Sequence, residues 1–313
     1  MKDSFIVLGI NYGGHDTSAV LMCNGELIAA CEQERYTLDK HSRRFPIEAI
    51  EDCFRLGGIR ISDVDELAYS FQPISHIREA YLQSAIDDPT RIEFIINDIE
   101  RIKDNYFTEQ TIRENIGFEG VIEYYNHHQC HLASAYYPSG FDEALLVSYD
   151  GIGEYETGLI GVGRHGKIGS FRGGNTYPNS LGLIYSAITD FLGWRHHSDE
   201  GIIMGLATYG NPNNILLDTG HTYYEIFQKI IIETNDLEYE INKDWISYHE
   251  VRDKWVSDMF LESFGAKREP GDEITQHQMD VAAALQLRIE SVVLNQLRHA
   301  REAYGVSNLC LSG

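Results

Sequence analysis

Three short, largely hydrophobic segments separated by turn residues open the chain. The segments read "FIVLGINY" (5–12), "TSAVLMC" (17–23) and "LIAACEQE" (27–34). The loop "GGHD" joins the first two, and Asn24-Gly25, a pair typical of a two-residue β-hairpin turn, follows the second. The pattern predicts a three-stranded meander with a glycine-rich loop after its first strand.

A helix is predicted next, because "PIEAIEDCFRLGG" begins with Pro46 and ends with Gly57-Gly58. "DELAYSF" (65–71) and "VIEYYN" (121–126) have the composition of strands, and residues 74–116 between them are predicted to be mostly helical.

The pattern of three strands joined by a glycine-rich loop and a tight turn recurs later in the chain with different residues. It reads "EALLVSYD" (143–150), the loop "GIGEYE", "TGLIGVGR" (157–164), the turn "HGK" and "IGSFRGG" (168–174). Helices are predicted at 180–193 and 278–304, with a polar, tyrosine-rich insertion at about 211–276 and a last strand, "NLCLSG". This recurrence predicts a first lobe at 1–140 and a second at 141–313. Because the last strand is followed by no helix, the second lobe is expected to be truncated at its C-terminus.

Two such units describe an α/β, duplicated ribonuclease H-like fold of the actin and Hsp70 ATPase type. In that architecture the glycine-rich loops are expected to face a cleft, where backbone N–H groups bind phosphates.

Composition and charge exclude some classes of function and partner. Hydrophobic residues make up 43% of the 313-residue chain, and no window of 18 residues is apolar enough to span a membrane. The formal net charge of −23 argues against a nucleic-acid partner. Five cysteines, an odd number without a CxxC motif, are typical of the reducing cytoplasm. We therefore expect a cytoplasmic protein with neither nucleic acid nor membrane as partner.

Three histidines lie within five positions in "YNHHQCHLASAYYPSG" (125–140). Asn126 is a suitable N-cap, and His127 and His131, four residues apart, share one helix face, as in helix-borne metal sites. His128 faces elsewhere and is expected either to pack in the core or to support a metal ligand from behind. Asp150, at the end of "LLVSYD", is the candidate third ligand. The alternatives are polar residues at a helix start and a turn-forming aspartate.

The first loop, "GGHD", contains a second candidate group. His15 is a candidate proton acceptor or an ordinary loop residue, and Asp16 beside it is a candidate turn cap.

Six segments, in order, resemble the antibiotic and nodulation O-carbamoyltransferases of the NodU, cephem and nebramycin type. They read "LGINYGGHDTSAVL", "EQERYTLDKH", "NHHQCHLASAYYPSGFDEALLVSYDGIGE", "SLGLIYSAITDFLG", "DEGIIMGLATYG" and "LCLSG". The resemblance implies an actin-like N-terminal domain, distantly similar to the tRNA threonylcarbamoyl transferases. It also implies a C-terminal YrdC-like domain that makes carbamoyl-adenylate from carbamoyl phosphate and ATP. The N-terminal domain transfers the carbamoyl group to a hydroxyl of a small-molecule acceptor, in secondary metabolism such as antibiotic biosynthesis.

The same resemblance assigns roles to individual residues. His127 and His131 match the family's metal ligands, with Fe(II) as the expected metal; Asp150 matches the aspartate after the second-lobe strand, and His15 the proposed base. Gly13, Gly14, Gly151 and Gly153 are expected to supply N–H groups to phosphate. Lys40 and His41, in "DKHSRR", are expected anion contacts, with a solvated basic turn as the alternative.

The chain also departs from the family pattern. Ile202 stands where "EGKxMGLA" has a lysine, so a phosphate contact is expected to be missing. The chain stops at Gly313, without the YrdC-like domain, and is expected to be incomplete for the full reaction.

Two other function classes stay open at this point. One is an actin-like ATPase or small-molecule kinase, although Mg²⁺ prefers oxygen ligands to imidazole. The other is a non-catalytic metal-binding module. The acceptor is not identified, and a homodimer is left open.

Overall fold

The computed structural model describes residues 4–217, 219–235, 237–251 and 253–313. The chain forms two compact units, Met1–Cys130 and His131–Gly313. The division falls within one continuous helix, and the domain boundary predicted near residue 140 stays a prediction.

The first unit is built on a five-stranded sheet. Its strands are β1 (Ile6–Asn11), β2 (Ser18–Cys23), β3 (Glu26–Glu32), β4 (Glu66–Tyr69) and β5 (Val121–Tyr124). The order is β3-β2-β1-β4-β5, with β1, β2 and β3 antiparallel and β4 and β5 parallel to β1. Asn24 and Gly25 have φ values of 50° and 84°, the left-handed conformation that the predicted hairpin turn requires.

Helices follow the strands of the first unit. They are α1 (Glu34–Thr37), α2 (Ile47–Gly57), α3 (Pro73–His76), α4 (Ser84–Asp87), α5 (Ile92–Asn97), α6 (Ile99–Tyr106) and α7 (Thr108–Ile116). A π-helical turn, Ile77–Gln83, lies between α3 and α4. Helix α2 buries Ala49, Ile50 and Cys53 against the meander and ends at Gly58, whose φ of 64° is the usual C-cap conformation.

Helix α8 (His127–Tyr136) crosses the division between the two units. The second unit then repeats the strand order of the first. Its strands are β6 (Glu143–Tyr149), β7 (Gly158–Arg164), β8 (Lys167–Gly173), the separate hairpin β9 (Ile231–Asn235) and β10 (Glu238–Ile241), and β11 (Leu309–Ser312). The main sheet has the order β11-β6-β7-β8, in which β6, β7 and β8 are antiparallel and β11 is parallel to β6.

The two strand orders confirm the predicted fold class. An antiparallel meander with a later parallel strand beside its first strand is the ribonuclease H-like arrangement, and both units contain it. Even the second hairpin turn matches the first, since His165 and Gly166 have φ values of 50° and 71°.

The second unit has a larger helical layer. Its helices are α9 (Leu181–Phe191), α10 (Glu200–Ala207), α11 (Tyr223–Ile230), α12 (Asp258–Phe264) and α13 (Gln276–Tyr304). The insertion contributes to the core, because Phe227 of α11 and Phe260 of α12 are fully buried. Helices α10, α11 and α12 and the β9–β10 hairpin were not predicted from the sequence. Among the described residues, no helix is both long and apolar enough to cross a membrane.

Candidate functional site

The histidine-bearing helix α8 begins as its sequence predicts. The Asn126 side-chain oxygen accepts a hydrogen bond from the Gln129 N–H at 3.0 Å, so the asparagine caps the first turn. Because a helix turns once in 3.6 residues, His127 and His131 lie on one face. His128, on another face, is fully buried.

Asp150 directly follows β6, and its carboxylate oxygens have separate partners. Its own N–H donates to the Thr157 carbonyl at 3.0 Å, which continues the pairing of the strands by one residue. The Gly151 N–H donates to Asp150 Oδ1 at 2.6 Å, and Asp150 Oδ2 lies 3.2 Å from His131 Nε2. One oxygen is thus held by the backbone, and the other faces the imidazole.

The donor set fits a divalent transition metal. One donor atom from each of His127, His131 and Asp150 lies within 4.8 Å of the others. Two ligands of one ion with bonds of about 2.0–2.2 Å stand roughly 3.0–3.6 Å apart, depending on geometry. The 3.2 Å separation between His131 and Asp150 falls in that range. Imidazole with carboxylate suits iron or zinc, whereas Mg²⁺ and Ca²⁺ prefer oxygen alone.

Two residues at the start of α9 hold Asp150 in place. Ser180 Oγ donates to the carbonyls of Asp150 at 3.0 Å and Gly151 at 2.7 Å, while also capping the helix at the Leu183 N–H. A Cβ on Gly182 would stand 2.7 Å from the Asp150 carbonyl carbon and from the Gly151 nitrogen. Sequence analysis placed both residues in a family-like segment without a role. Only the three-dimensional approach of α9 to the end of β6 reveals it.

His15 lies in the loop after β1, in contact with Asp16. Its Nδ1 stands 2.7 Å from Asp16 Oδ2, and the Nδ1 of His41 stands 2.9 Å from Asp16 Oδ1. Partial burial alone would raise the pKa of Asp16, but hydrogen bonds from the two imidazoles hold it below its ordinary value. From the sequence, Asp16 was expected to be a turn residue, and His41, with Lys40, was expected to contact an anion. The contact of Asp16 with His41 across 25 positions was not predicted.

The predicted phosphate-binding glycines differ in their surroundings. Gly13 has a φ of 94°, a conformation that favours glycine, and its loop follows β1. Gly14 is exposed, with open space where a Cβ would be. The Gly151 and Gly153 N–H groups are engaged locally, by Asp150 Oδ1 and by the Glu156 carbonyl at 2.8 Å. They would have to exchange these partners to bind phosphate.

Two further predicted positions lie on the surface. Lys40 is exposed in the turn beside His41. Ile202, in place of the family's lysine, is 48% exposed on α10.

Two sheets with the ribonuclease H-like strand order define an α/β protein of the actin-like ATPase fold class. The chain belongs to the carbamoyltransferase family, since the model for the family's N-terminal region, "Carbamoyltransferase N-terminus", matches residues 6–313. The resemblance inferred from the motifs is thereby confirmed.

Two curated relatives are longer than this chain. An uncharacterized protein of Synechocystis is 31% identical over 98% of the chain and 50% of its own length. The nodulation protein NolNO of Sinorhizobium fredii is 30% identical over 96% of the chain and 40% of its own length. The chain therefore spans about half the length of the first relative and less of the second.

Solved structures show weaker likeness. The (R)-2-hydroxyglutaryl-CoA dehydratase component A of Acidaminococcus fermentans is 10% identical, with a TM-score of 0.43 over 98% of this chain and 92% of its own. HypF of T. kodakarensis is 12% identical, with a TM-score of 0.42 over 99% of this chain and 41% of its own.

Proposed function

We propose that this chain is the carbamoyl-transferring domain of an O-carbamoyltransferase. It moves a carbamoyl group from carbamoyl-adenylate to a hydroxyl of a small molecule. The observation that carries the proposal is the family match over residues 6–313, which includes the residues of both histidine clusters. Carbamoyl-adenylate, made from carbamoyl phosphate and ATP, is the donor that the motif resemblance implies.

In the proposed transfer, His15 takes the proton of the acceptor hydroxyl. The hydroxyl oxygen forms a bond to the carbamoyl carbon, and the bond from that carbon to the adenylate oxygen breaks, so AMP leaves with the electron pair. His15 suits this role because its side chain is 54% exposed and can meet a substrate. A positioned base contributes roughly 10²–10⁴-fold to such a step.

His127, His131 and Asp150 would hold the metal ion, and we propose Fe(II) on the motif resemblance. Bound there, the ion would supply positive charge for a phosphate or a carbonyl oxygen of the donor. The side chains of His131 and Asp150 are 28% and 30% exposed, so the donor atoms are accessible without being fully solvated. Gly13 and Gly14 are the proposed backbone donors for the phosphate, with Lys40 as an anion contact. The N–H groups of Gly151 and Gly153 would also bind the phosphate, after releasing their present acceptors, Asp150 Oδ1 and the Glu156 carbonyl.

The remaining parts of the reaction concern the longer protein. We propose that a YrdC-like domain supplies carbamoyl-adenylate in the cytoplasm, and that the acceptor is a secondary metabolite, such as an antibiotic or a nodulation signal. The name of the Sinorhizobium relative, a nodulation protein, supports an acceptor of that kind.

The chain can be tested with carbamoyl-adenylate carrying a ¹⁴C-labelled carbamoyl group and a panel of hydroxylated sugars and amino sugars. We expect AMP release that depends on the acceptor, with label in the product. ADP and a phosphorylated acceptor, formed with ATP and Mg²⁺, would indicate a kinase instead. Binding of the metal without turnover of any acceptor would indicate a non-catalytic module.

A matched pair of variants tests the base. His15→Gln is expected to lower the transfer rate roughly 10²-fold or more. His165→Gln is the control, because the exposed His165 imidazole also contacts a carboxylate, with its Nδ1 3.1 Å from Asp142 Oδ1. Equal rates in the two variants would remove His15 from the proposed mechanism.

A further inference from the structure

The carboxylate of Asp16 lies between two imidazoles. His15 Nδ1 approaches one oxygen at 2.7 Å, and His41 Nδ1 approaches the other at 2.9 Å. Each nitrogen therefore has an oxygen of its own, which is the arrangement of two separate hydrogen bonds.

These distances argue against a shared cation in this cluster. Its donor atoms also fall within 4.8 Å of one another. Two ligands of one metal, however, stand roughly 3.0–3.6 Å apart. Both nitrogen–oxygen separations are shorter than that and fall in the range of charge-assisted hydrogen bonds, about 2.7–2.9 Å.

The backbone is arranged to make this contact. Asp16 and His41 have φ values of 56° and 57°, in the left-handed region that non-glycine residues seldom occupy. The loops that carry them are tied together, since the Thr17 N–H donates to the Ser42 carbonyl at 3.3 Å. The His41 N–H donates to Glu34 Oε2 at 3.2 Å, which anchors the second loop to α1. Two unusual conformations at the two contacting residues point to a selected arrangement.

The Asp16 carboxylate determines which nitrogen of each imidazole carries the proton. An ionised carboxylate accepts hydrogen bonds and cannot donate them, so both Nδ1 atoms must carry the proton. In a neutral imidazole with Nδ1–H, the Nε2 atom has a free lone pair. His15 therefore presents a basic nitrogen from an exposed ring.

His41 differs from His15 in access. Its Nε2 is buried and has no hydrogen-bond partner, so this nitrogen cannot meet an acceptor molecule. Of the two imidazoles, His15 is the one suited to proton transfer, and His41 is suited to holding the carboxylate.

We infer that Asp16 and His41 are positioning residues that fix His15 in the Nδ1–H tautomer and leave Nε2 as the proton acceptor. The tautomer stands on the geometry alone, whereas its use in catalysis rests on the proposed function of His15. The arrangement resembles the aspartate–histidine pair of serine proteases in its logic, with a second imidazole that orients the carboxylate.

Nitrogen NMR of the ¹⁵N-histidine-labelled chain, treated with EDTA, tests the tautomer at neutral pH. His15→Gln and His41→Gln assign the two rings by the loss of their signals. We expect both rings to be Nδ1–H in the unmodified protein. Asp16→Asn leaves one oxygen for two N–H groups and is expected to release at least one ring toward the Nε2–H form. Asparagine also tolerates the left-handed conformation, so the variant is expected to fold.

Asp39→Asn is the matched control, since it removes an exposed carboxylate from the same loop as His41. It is expected to leave both rings unchanged. An Nε2–H form of His15 in the unmodified protein, or two unchanged rings in Asp16→Asn, would overturn the inference. A ring that changes when Zn²⁺ replaces EDTA in the His127→Ala/His131→Ala background would also overturn it, because the cluster would then be a cation site.

Kinetics separate this inference from the proposed function. The NMR result does not depend on turnover, so a chain without carbamoyl transfer leaves it intact. Where transfer is measured, Asp16→Asn is expected to lower kcat roughly 10²-fold with little change in KM. In a His15→Gln background, the same substitution should cost nothing further. An additional loss in that background would show that Asp16 acts other than through His15.

Discussion

Among the described residues, two groups of two imidazoles and one carboxylate differ in the spacing of their donor atoms and in the elements that carry them. In the cluster of His15, Asp16 and His41, the nitrogen–oxygen distances are 2.7 and 2.9 Å, and all three residues lie in loops. In the cluster on α8, His131 and Asp150 stand 3.2 Å apart. These donors are carried by a helix and by the end of a central strand.

The difference shows how the same residue types are directed to different chemistry. In the loop cluster, the close contact satisfies the hydrogen-bonding groups of the imidazoles and the carboxylate, and we infer that it fixes the Nδ1–H tautomer. In the proposed metal site, the wider spacing on rigid elements would let the donor atoms share one ion. Composition alone does not distinguish the two clusters, whereas an atom-to-atom distance does.

The strongest test of this comparison removes the helix-borne imidazoles. His127→Ala combined with His131→Ala is expected to lower the affinity for Fe(II) or Zn²⁺ by more than about 10²-fold, a loss that even outer-shell changes can produce. Isothermal titration of the metal-free protein and metal analysis after dialysis measure the loss. His165→Ala combined with His221→Ala removes two exposed imidazoles as a control. If both double variants bind metal like the unmodified chain, the site does not lie on α8.

Gly182→Ala tests the support of the helix-borne cluster without touching a ligand. The added Cβ would stand 2.7 Å from the Asp150 carbonyl carbon, so the peptide must move. Overpacking of this kind typically costs 1–3 kcal/mol, so we expect a loss of about that size in the free energy of unfolding, together with weaker metal binding.

Gly205→Ala on α10 is the matched control for that substitution. A Cβ at Gly205 meets no atom within 4 Å, so alanine is expected to stabilise the helix by about 0.5–1 kcal/mol. Equal stability changes in the two variants, measured by urea unfolding, would refute the close packing at Asp150.

Ser180→Ala is expected to have a smaller effect on the same cluster. It removes the cap of α9 and the hydrogen bonds to the Asp150 and Gly151 carbonyls, at a cost of about 1–2 kcal/mol. Ser257→Ala is the control, because Ser257 caps α12 and donates to the Asp244 carbonyl in the same manner. Both variants should lose stability, but only Ser180→Ala should weaken metal binding. Equal metal affinity in the two would show that Ser180 serves the helix alone.

Much of the first-lobe fold could be predicted because its signals are local. The short hydrophobic runs of β1 to β3, the Asn24-Gly25 turn and the Asn126 cap each depend on residues a few positions apart. The spacing of His127 and His131 follows from helix geometry for the same reason. The recurrence of the meander then predicted the second sheet.

The remaining features depend on contacts between distant positions. Asp16 and His41 meet across 25 residues. Both adopt the left-handed conformation, which aspartate and histidine occupy more often than most residues, but neither residue type by itself specifies that conformation or the contact. Gly182 reaches the Asp150 peptide only because α9 packs against the end of β6. The insertion at 211–276 is polar overall, yet buries Phe227 and Phe260, so its composition concealed a contribution to the core.

The smallest expected effect concerns the pH dependence of the loop cluster. Partial burial raises the pKa of Asp16. The hydrogen bonds from His15 and then from His41 outweigh burial and place this pKa below its ordinary value of 3.8. A lowered pKa means that the native state releases this proton more readily than the unfolded chain. The stabilisation is therefore complete above the ordinary carboxyl pKa and is lost as the pH falls through the lowered value.

Asp16→Asn should accordingly be less stable than the unmodified chain at neutral pH, by at most about 1 kcal/mol because the group is partly solvated. The difference should shrink on acidification below about pH 4, the ordinary range of an aspartate. Urea unfolding at several pH values measures it. Asp142→Asn is the control, since the exposed Asp142 carboxylate also contacts an imidazole, the exposed His165 ring, and its loss of stability at neutral pH should be smaller. A stability difference for Asp16→Asn that is absent at neutral pH, or that does not shrink below about pH 4, would mean that the two imidazoles do not stabilise the ionised carboxylate, and the contrast between the clusters would then rest on the α8 site alone.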